Sequence, residues 1–283
     1  MPAFDPVTAV VRAFEVLRLI NQLEHASVAE IHRNTGYPKA TVLRMVETLM
    51  SAGYVARVEG TTTYAPTGKC LLLGSGLRTQ ARMTAKATPI LNSFRRKIGW
   101  PSDFGLFDGD AMVIAATSRE FGVLSLNRRP GARAPLLLSA LGRAYLAFCP
   151  EESRRKILET LRQSSNHLDA AARNHVAATR MLDETRSRGY SLTDKGYLET
   201  TYEGAIWGIG VPILADGQVV ASVNVMFLRS ALSLKSGIAT LLPPLRQAAK
   251  KIGAELAQEA AALSGVAQAT RSVAPSRSIR LTG

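Results

Sequence analysis

The sequence predicts an α+β protein with a small helical head, a linker helix and a larger domain built on a largely antiparallel sheet. Three observations predict it. Residues 27–53 read as two short helices joined by a turn, and two β-prone runs with a glycine turn follow at once. From Trp100 onward, strands and helices alternate in groups. A chain of 283 residues is also long enough for about two domains with separate cores.

The head opens with a helix whose expected apolar stripe is Val10, Phe14, Leu17 and Ile20, ending near Leu23 and His25. Ser27 is a good N-cap for the next helix, and Glu30 completes a capping box three residues later. Ile31 anchors that helix, and Thr35-Gly36-Tyr37 ends it. Pro38 then suits the first turn of a third helix, where a missing N–H costs nothing. Val42, Met45, Val46 and Leu49 form its core stripe, which leaves Lys39, Ala40, Thr41, Leu43 and Arg44 mainly on the other side.

Tyr54–Val58 and Thr62–Pro66 flank Glu59-Gly60-Thr61, a hairpin signal. Three helices followed by a hairpin is the order of a winged helix-turn-helix. In that arrangement the second hairpin helix reads the major groove with its first residues. The DNA-contact candidates are therefore Lys39, Ala40, Thr41, Leu43 and Arg44, with Ser27 before them and Arg57 on the wing. Arg44 could meet a guanine edge or a phosphate, and Leu43 a thymine methyl or a neighbouring element. Any amphipathic helical hairpin would share the core stripe, so the pattern alone does not demand DNA.

Residues 69–86 are expected to form a linker helix with a soft start, because Gly74 and Gly76 follow Leu71, Leu72 and Leu73. Pro89 is expected to precede a separate helix from Ile90 to Ile98. Strands are expected over Ser102–Phe107, Met112–Thr117 and Val123–Asn127, the first two around Asp108-Gly109-Asp110. Helices follow over Ala140–Phe148, Glu151–Arg162 and His175–Arg188, the last closed by Gly189. Ile206–Pro212 and Val219–Phe227 read as a hairpin, and a helix as Ile238–Leu263. Residues 265–283 lack periodicity and read as a disordered tail.

The net charge of +13 suggests a polyanionic partner, but its distribution qualifies this. Residues 1–66 carry six basic and six acidic side chains, whereas residues 67–100 carry seven basic and none acidic. The surplus follows the reading head rather than sitting in it, either beside phosphates or as a solvated basic face. No apolar run approaches a membrane span and the N-terminus lacks a leader pattern, so a cytoplasmic protein is expected. Cys70 and Cys149 stand far apart and form neither a disulfide framework nor a metal cluster. Buried small hydrophobes are the simpler reading, a redox-sensing thiol the sharper one.

No nucleophile elbow, phosphate loop, zinc-helix motif or cysteine cluster occurs, so neither an enzyme nor a cofactor is expected. Gly208-Ile209-Gly210 lacks the third glycine of a dinucleotide loop and reads as a strand that needs close packing. Trp100 and Trp207 read as core before pocket, Arg119 and Arg128 as surface ion pairs or carboxylate partners, and His167 and His175 as solvated.

With these elements in order, the chain resembles the IclR family of bacterial transcription regulators over about residues 7–260. GYPKATVLRMVETLMSAGYV is similar to that family's recognition helix and the start of its wing. LSALGRAYLAFCPEE and the run GY…PI…DGQVVASVNV carry the C-terminal likeness. The stretch WPSDFGLFDGDAMVIAATSREFGVLSLNRRPGARAPLL is most similar to family members that regulate hydroxyphenylpropionate (aromatic acid) catabolism.

The resemblance implies a winged helix-turn-helix over 7–68, a linker helix used in dimerisation, and a GAF-like effector-binding domain over 87–264. It implies homodimers or dimers of dimers, operator DNA and a small carboxylate as partners, and RNA polymerase as a possible further one. Its effector site corresponds to Ser139, Ala140, Leu141 and Gly142 at a helix start, and to Asn224 and Met226 on the last strand. Arg119 and Trp207 complete the candidate set. The family commonly has serines where Asn224 and Met226 stand, which points to a larger, aromatic acid. Two alternatives stay open for the C-terminal domain: an oligomerisation or partner module without ligand, and a catalytic domain.

Overall fold

Val16, Leu17, Leu19 and Ile20 of α1 (Thr8–Leu23) meet Ile31 of α2 (Val28–Thr35) and Val42, Val46 and Leu49 of α3 (Lys39–Ser51) in one apolar core. Full burial of such a side chain stabilises by about 1.5–3 kcal/mol. The computed structural model describes residues 4–117 and 129–272, which form two compact units dividing between Arg78 and Thr79.

In the first unit the capping box forms as expected: Ser27 Oγ accepts the Glu30 N–H, and the Glu30 carboxylate accepts the Ser27 N–H at 2.8 Å. Gly36 ends α2 in the left-handed region, with φ of 73°, where a side chain would be strained. The expected stripe of α1 needs correction. Val10 and Phe14 are 51% and 60% exposed, because the core takes the neighbouring sector that Val16 and Leu19 occupy. The wing is a three-stranded sheet rather than a plain hairpin. β1 (Ala26–Ser27) pairs antiparallel with β3 (Thr63–Pro66), and β3 with β2 (Val55–Arg57).

The linker also departs from expectation. Gly68–Gly74 is a 3₁₀ turn, and α4 runs unbroken from Arg78 to Ile98 with Pro89 inside it. The proline removes one helical hydrogen bond, but Ala87, Leu91 and Phe94 bury a face on both sides of it, and packing prevails.

The second unit holds a six-stranded antiparallel sheet in the order β6-β5-β4-β9-β8-β7. Its strands are β4 (Asp103–Asp108), β5 (Ala111–Thr117), β6 (Arg133–Pro135), β7 (Ser191–Leu192), β8 (Ile206–Ala215) and β9 (Gln218–Leu228). α4 and α9 (Leu234–Ser272) cover one face through Leu91, Phe94, Leu245 and Ile252. α5 (Ala140–Phe148), α6 (Glu151–Gln163) and α7 (His175–Arg188) pack against the other. A 3₁₀ turn (His167–Arg173) and α8 (Lys195–Tyr202) complete the unit.

β6, β7, α8 and the 3₁₀ turn carry too few residues to show a period. α9 extends to Ser272, so residues 265–272, expected as disordered tail, are helical. The strand expected over 123–127 and the rest of the tail lie outside the described residues.

Candidate DNA-reading and effector sites

α3 presents its first turns to solvent. Lys39, Ala40 and Arg44 are exposed, Leu43 is 40% exposed, and Thr41 is half-buried beside them. The turn before α3 is pinned on both sides. His32 Nδ1 lies 2.7 Å from the Tyr37 carbonyl oxygen, the Tyr37 hydroxyl bonds the Glu15 carboxylate, and the Arg12 guanidinium lies over the Tyr37 ring at 5.1 Å. The bond to Glu15, then burial, raises the Tyr37 hydroxyl above its ordinary pKa.

At the other end, Lys69 Nζ donates to the Ala52 carbonyl at 2.8 Å and lies 5.0 Å from the Tyr54 ring centre. A cation is favoured at a helix C-terminus, and this one joins α3 to the segment after the wing. On the wing, Arg57 Nε reaches the Thr61 carbonyl across the turn at 3.3 Å and stays exposed. Ser27 is half-buried and its hydroxyl is engaged in the capping box.

In the second unit, the N-terminus of α5 lies against the sheet where two glycines permit it. A Cβ on Gly210 would sit 2.5 Å from the Ala140 carbonyl oxygen, and one on Gly208 would sit 2.2 Å from Thr193 Oγ1. The expected close packing of Gly208 and Gly210 is thus present. Ser139 is the N-cap: its hydroxyl donates to the Pro135 carbonyl at 2.7 Å and accepts from Gly142 N–H at 3.0 Å. That leaves the Ala140 and Leu141 N–H groups without an intrahelical acceptor.

Asn224 faces this helix start, paired with Gly210 across the sheet, and its Oδ1 accepts the Asp103 N–H at 2.7 Å. Met226 pairs with Gly208 and packs with Leu198 and Ile206. The structure therefore brings Ser139, Ala140, Leu141, Gly142 and Asn224 together and sets Met226 one pair further along. Trp207 lies under the Arg229 guanidinium at 3.9 Å and, like Tyr202 and Leu228, packs against the cluster of Leu198, Ile206 and Met226. Arg119 and Arg128 lie outside the described residues.

Arg143 was missing from the candidate set. Its Nε donates to the Leu137 carbonyl at 2.6 Å, Nη1 to the Leu192 carbonyl at 3.0 Å, and Nη2 to Asp194 Oδ2 at 2.8 Å. Burial pushes this guanidinium below its ordinary pKa, and Asp194 opposes the shift. Arg143 thereby ties the start of α5 to β7 and to Asp194, the N-cap of α8. Beside it opens a cavity of about 330 Å³ lined by Arg143, Arg188, Lys195, Glu184, Thr193 and Trp207, among others.

The two cysteines stand in different surroundings. Cys70 Sγ bonds the Tyr54 carbonyl within the head's apolar core, and burial raises the Cys149 thiol above its ordinary pKa. No metal-binding cluster occurs among the described residues. No described helix is long and apolar enough to cross a membrane.

A winged helix-turn-helix followed by a covered antiparallel-sheet domain with a helix start at its centre defines a ligand-responsive DNA-binding regulator. The chain belongs to the IclR family: the IclR helix-turn-helix domain matches residues 9–59, and the bacterial transcriptional regulator IclR C-terminal domain matches residues 78–254. It is similar to the probable transcriptional regulator SauR of Cupriavidus necator, at 28% identity over 86% of this chain and 95% of that one. It is also similar to the Pca regulon regulatory protein of Pseudomonas putida, at 26% identity over 78% of this chain and 74% of that one.

Among solved structures, an IclR homolog from Microbacterium hydrocarbonoxydans complexed with 4-hydroxybenzoate shares the fold. That match has a TM-score of 0.63 at 20% identity and covers 88% of this chain and 98% of the other. The chain is thus a DNA-binding transcription regulator with an effector-binding C-terminal domain, and not an enzyme.

Proposed function

We propose that this chain regulates a catabolic operon in the cytoplasm in response to a small aromatic carboxylic acid. The observation that supports it most is the start of α5. There the Ala140 and Leu141 N–H groups lack an intrahelical acceptor, and the Ala140 backbone lies close to Gly210, which pairs with Asn224 across the sheet. Backbone N–H groups at a helix start attract a carboxylate without a charged side chain. The 4-hydroxybenzoate complex of the Microbacterium homolog supports an aromatic acid as ligand class.

On DNA, α3 enters the major groove with Lys39, Ala40, Thr41, Leu43 and Arg44 toward bases and phosphates, and Arg57 rests on the backbone. Ser27, at the start of α2, approaches a phosphate. Two copies act together, at half-sites about one helical turn or a multiple apart. The exposed apolar side chains of Val7, the N-cap of α1, and of Val10, Val11 and Phe14 within it support such an assembly. Dimers of dimers and a contact with RNA polymerase extend the same reading. The effector acts through its different affinity for two arrangements of the protein.

The test is a thermal-shift screen of aromatic and aliphatic carboxylates on the full chain, with hits carried into binding to a palindromic operator selected from random duplexes. The expected result is at least one stabilising acid that changes operator affinity by roughly 5–150-fold. If no acid shifts the melt while operator binding persists, the effector reading fails, and the domain is an oligomerisation or partner module.

A further inference from the structure

Three side chains on the sheet bury polar atoms that nothing among the described residues satisfies: both carboxylate oxygens of Asp103, Thr117 Oγ1 and Ser222 Oγ. They share one face. Phe104 and Leu106 of β4 point into the core under α4 and α9, so alternation turns Asp103 and Gly105 the other way. Gly105 confirms that direction, since a Cβ there would meet Leu141 of α5 at 3.2 Å. Asp103 pairs with Thr117, and Gly105 with Ser222. Asn224, whose Oδ1 holds the Asp103 N–H, pairs in turn with Gly210 beneath Ala140. Thr117, Asp103, Asn224 and Gly210 thus form one transverse row on the side of the sheet that α5 covers.

Asp103 and Ser222 are 0% exposed. An ionised carboxylate only accepts hydrogen bonds, and burying one unpaired is expensive. Asp103 therefore lacks a donor, and among the described residues none is supplied. The α5 start has the opposite need, N–H groups for which the described residues supply no acceptor.

We propose that Asp103 accepts a hydrogen bond from a hydroxyl or ammonium group that the effector carries away from its carboxylate. The sensed molecules are then hydroxy- or amino-substituted carboxylic acids, and plain acids of the same skeleton are rejected. The buried carboxylate supplies that rejection, because an acid without a donor leaves it desolvated and unpaired. This inference rests on the effector reading above.

The experiment uses the full chain, titrated by calorimetry and thermal shift with benzoate, 4-hydroxybenzoate and 4-(aminomethyl)benzoate, and with phenylacetate and 4-hydroxyphenylacetate. The donor-bearing acids are expected to bind about tenfold or more tightly than their plain counterparts. Asp103→Ala is expected to erase that preference while benzoate still binds. Asp103→Asn, which keeps the shape and removes the charge, is expected to leave the ligand-free melting temperature unchanged or raised. A carboxylate held for structural reasons would instead lower it.

Equal affinity for the matched acids overturns the assignment of Asp103. So does a preference that survives Asp103→Ala, or a ligand-free melt lowered by Asp103→Asn. Should Asp103→Ala fail to fold, the same comparison is read from Asp103→Asn, expected to lose its preference for 4-(aminomethyl)benzoate. If no acid in this set or the wider screen binds the parent, the effector reading itself has failed, and this inference falls with it.

Discussion

In the head, Lys39 and Arg44 stand exposed on α3, while Val42 and Val46 behind them are wholly buried. In the sheet domain, Ser139 and Asn224 are themselves buried, and each is engaged with a neighbouring backbone group. The head separates the residues that would touch a partner from those that hold the fold, by the two sides of one helix. In the sheet domain the proposed site residues would do both. A substitution at the head's surface is therefore expected to change binding alone, whereas one at the α5 site is expected to change stability first.

Gly210→Ala gives the largest expected effect and tests the second half of that contrast. The added Cβ would lie 2.5 Å from the Ala140 carbonyl oxygen and 2.6 Å from Ser191 Oγ, both fixed by the sheet and α5. Ser191 Oγ already donates to that carbonyl at 2.5 Å, so the helix start has no free direction of retreat. Overpacking of this kind destabilises by about 3 kcal/mol. Urea unfolding followed by circular dichroism measures it; a midpoint equal to the parent's would mean that α5 is not in contact with the sheet at its start.

Arg44→Ala tests the first half. Arg44 is exposed on a helix whose buried face is Val42, Val46 and Leu49, so removing it is expected to leave the melting temperature within experimental error. Operator binding is expected to weaken by about 1–3 kcal/mol, read by fluorescence anisotropy at fixed salt. A variant that binds the palindromic operator as tightly as the parent removes Arg44 from the reading surface. One that melts early removes the separation between surface and core on which the contrast stands.

The same contrast explains what could be read from the sequence. Caps and period are local signals, and the head is built from them: Ser27 with Glu30, Gly36, and the stripe of α3 all stand where the residues alone place them. Val10 and Phe14 misled because an apolar residue on a helix looks the same whether the core or a second surface takes it. β1 escaped notice because its two residues become a strand only by pairing with Thr63 and Tyr64. In the sheet domain the helix Ala140–Phe148 is legible from the residues, but the contacts of Arg143 and the burial of Asp103 are not. Arg143 reads as a solvated helix residue until Leu192 and Asp194 fold over it. Asp103 reads as a polar strand start. Its backbone N–H is held by Asn224, 121 residues further along the chain.

Ser27→Ala is the smallest expected effect and refines the head side of the comparison, because Ser27 is the one candidate there that holds the fold. Loss of an N-cap destabilises by about 1 kcal/mol at neutral pH. The box also has a pH signature. The Ser27 N–H, and then its hydroxyl, lower the Glu30 pKa below the ordinary carboxylate value of 4.5. A carboxyl whose folded pKa is depressed stabilises above its unfolded pKa, and that stability is lost as pH falls through the folded value. The difference in urea midpoint between the parent and Ser27→Ala should therefore be full near pH 7 and shrink on acidification below 4.5. A difference that is flat with pH would show that Glu30 does not titrate against the cap. A null difference at pH 7 would make Ser27 fold-neutral, like Lys39 and Arg44.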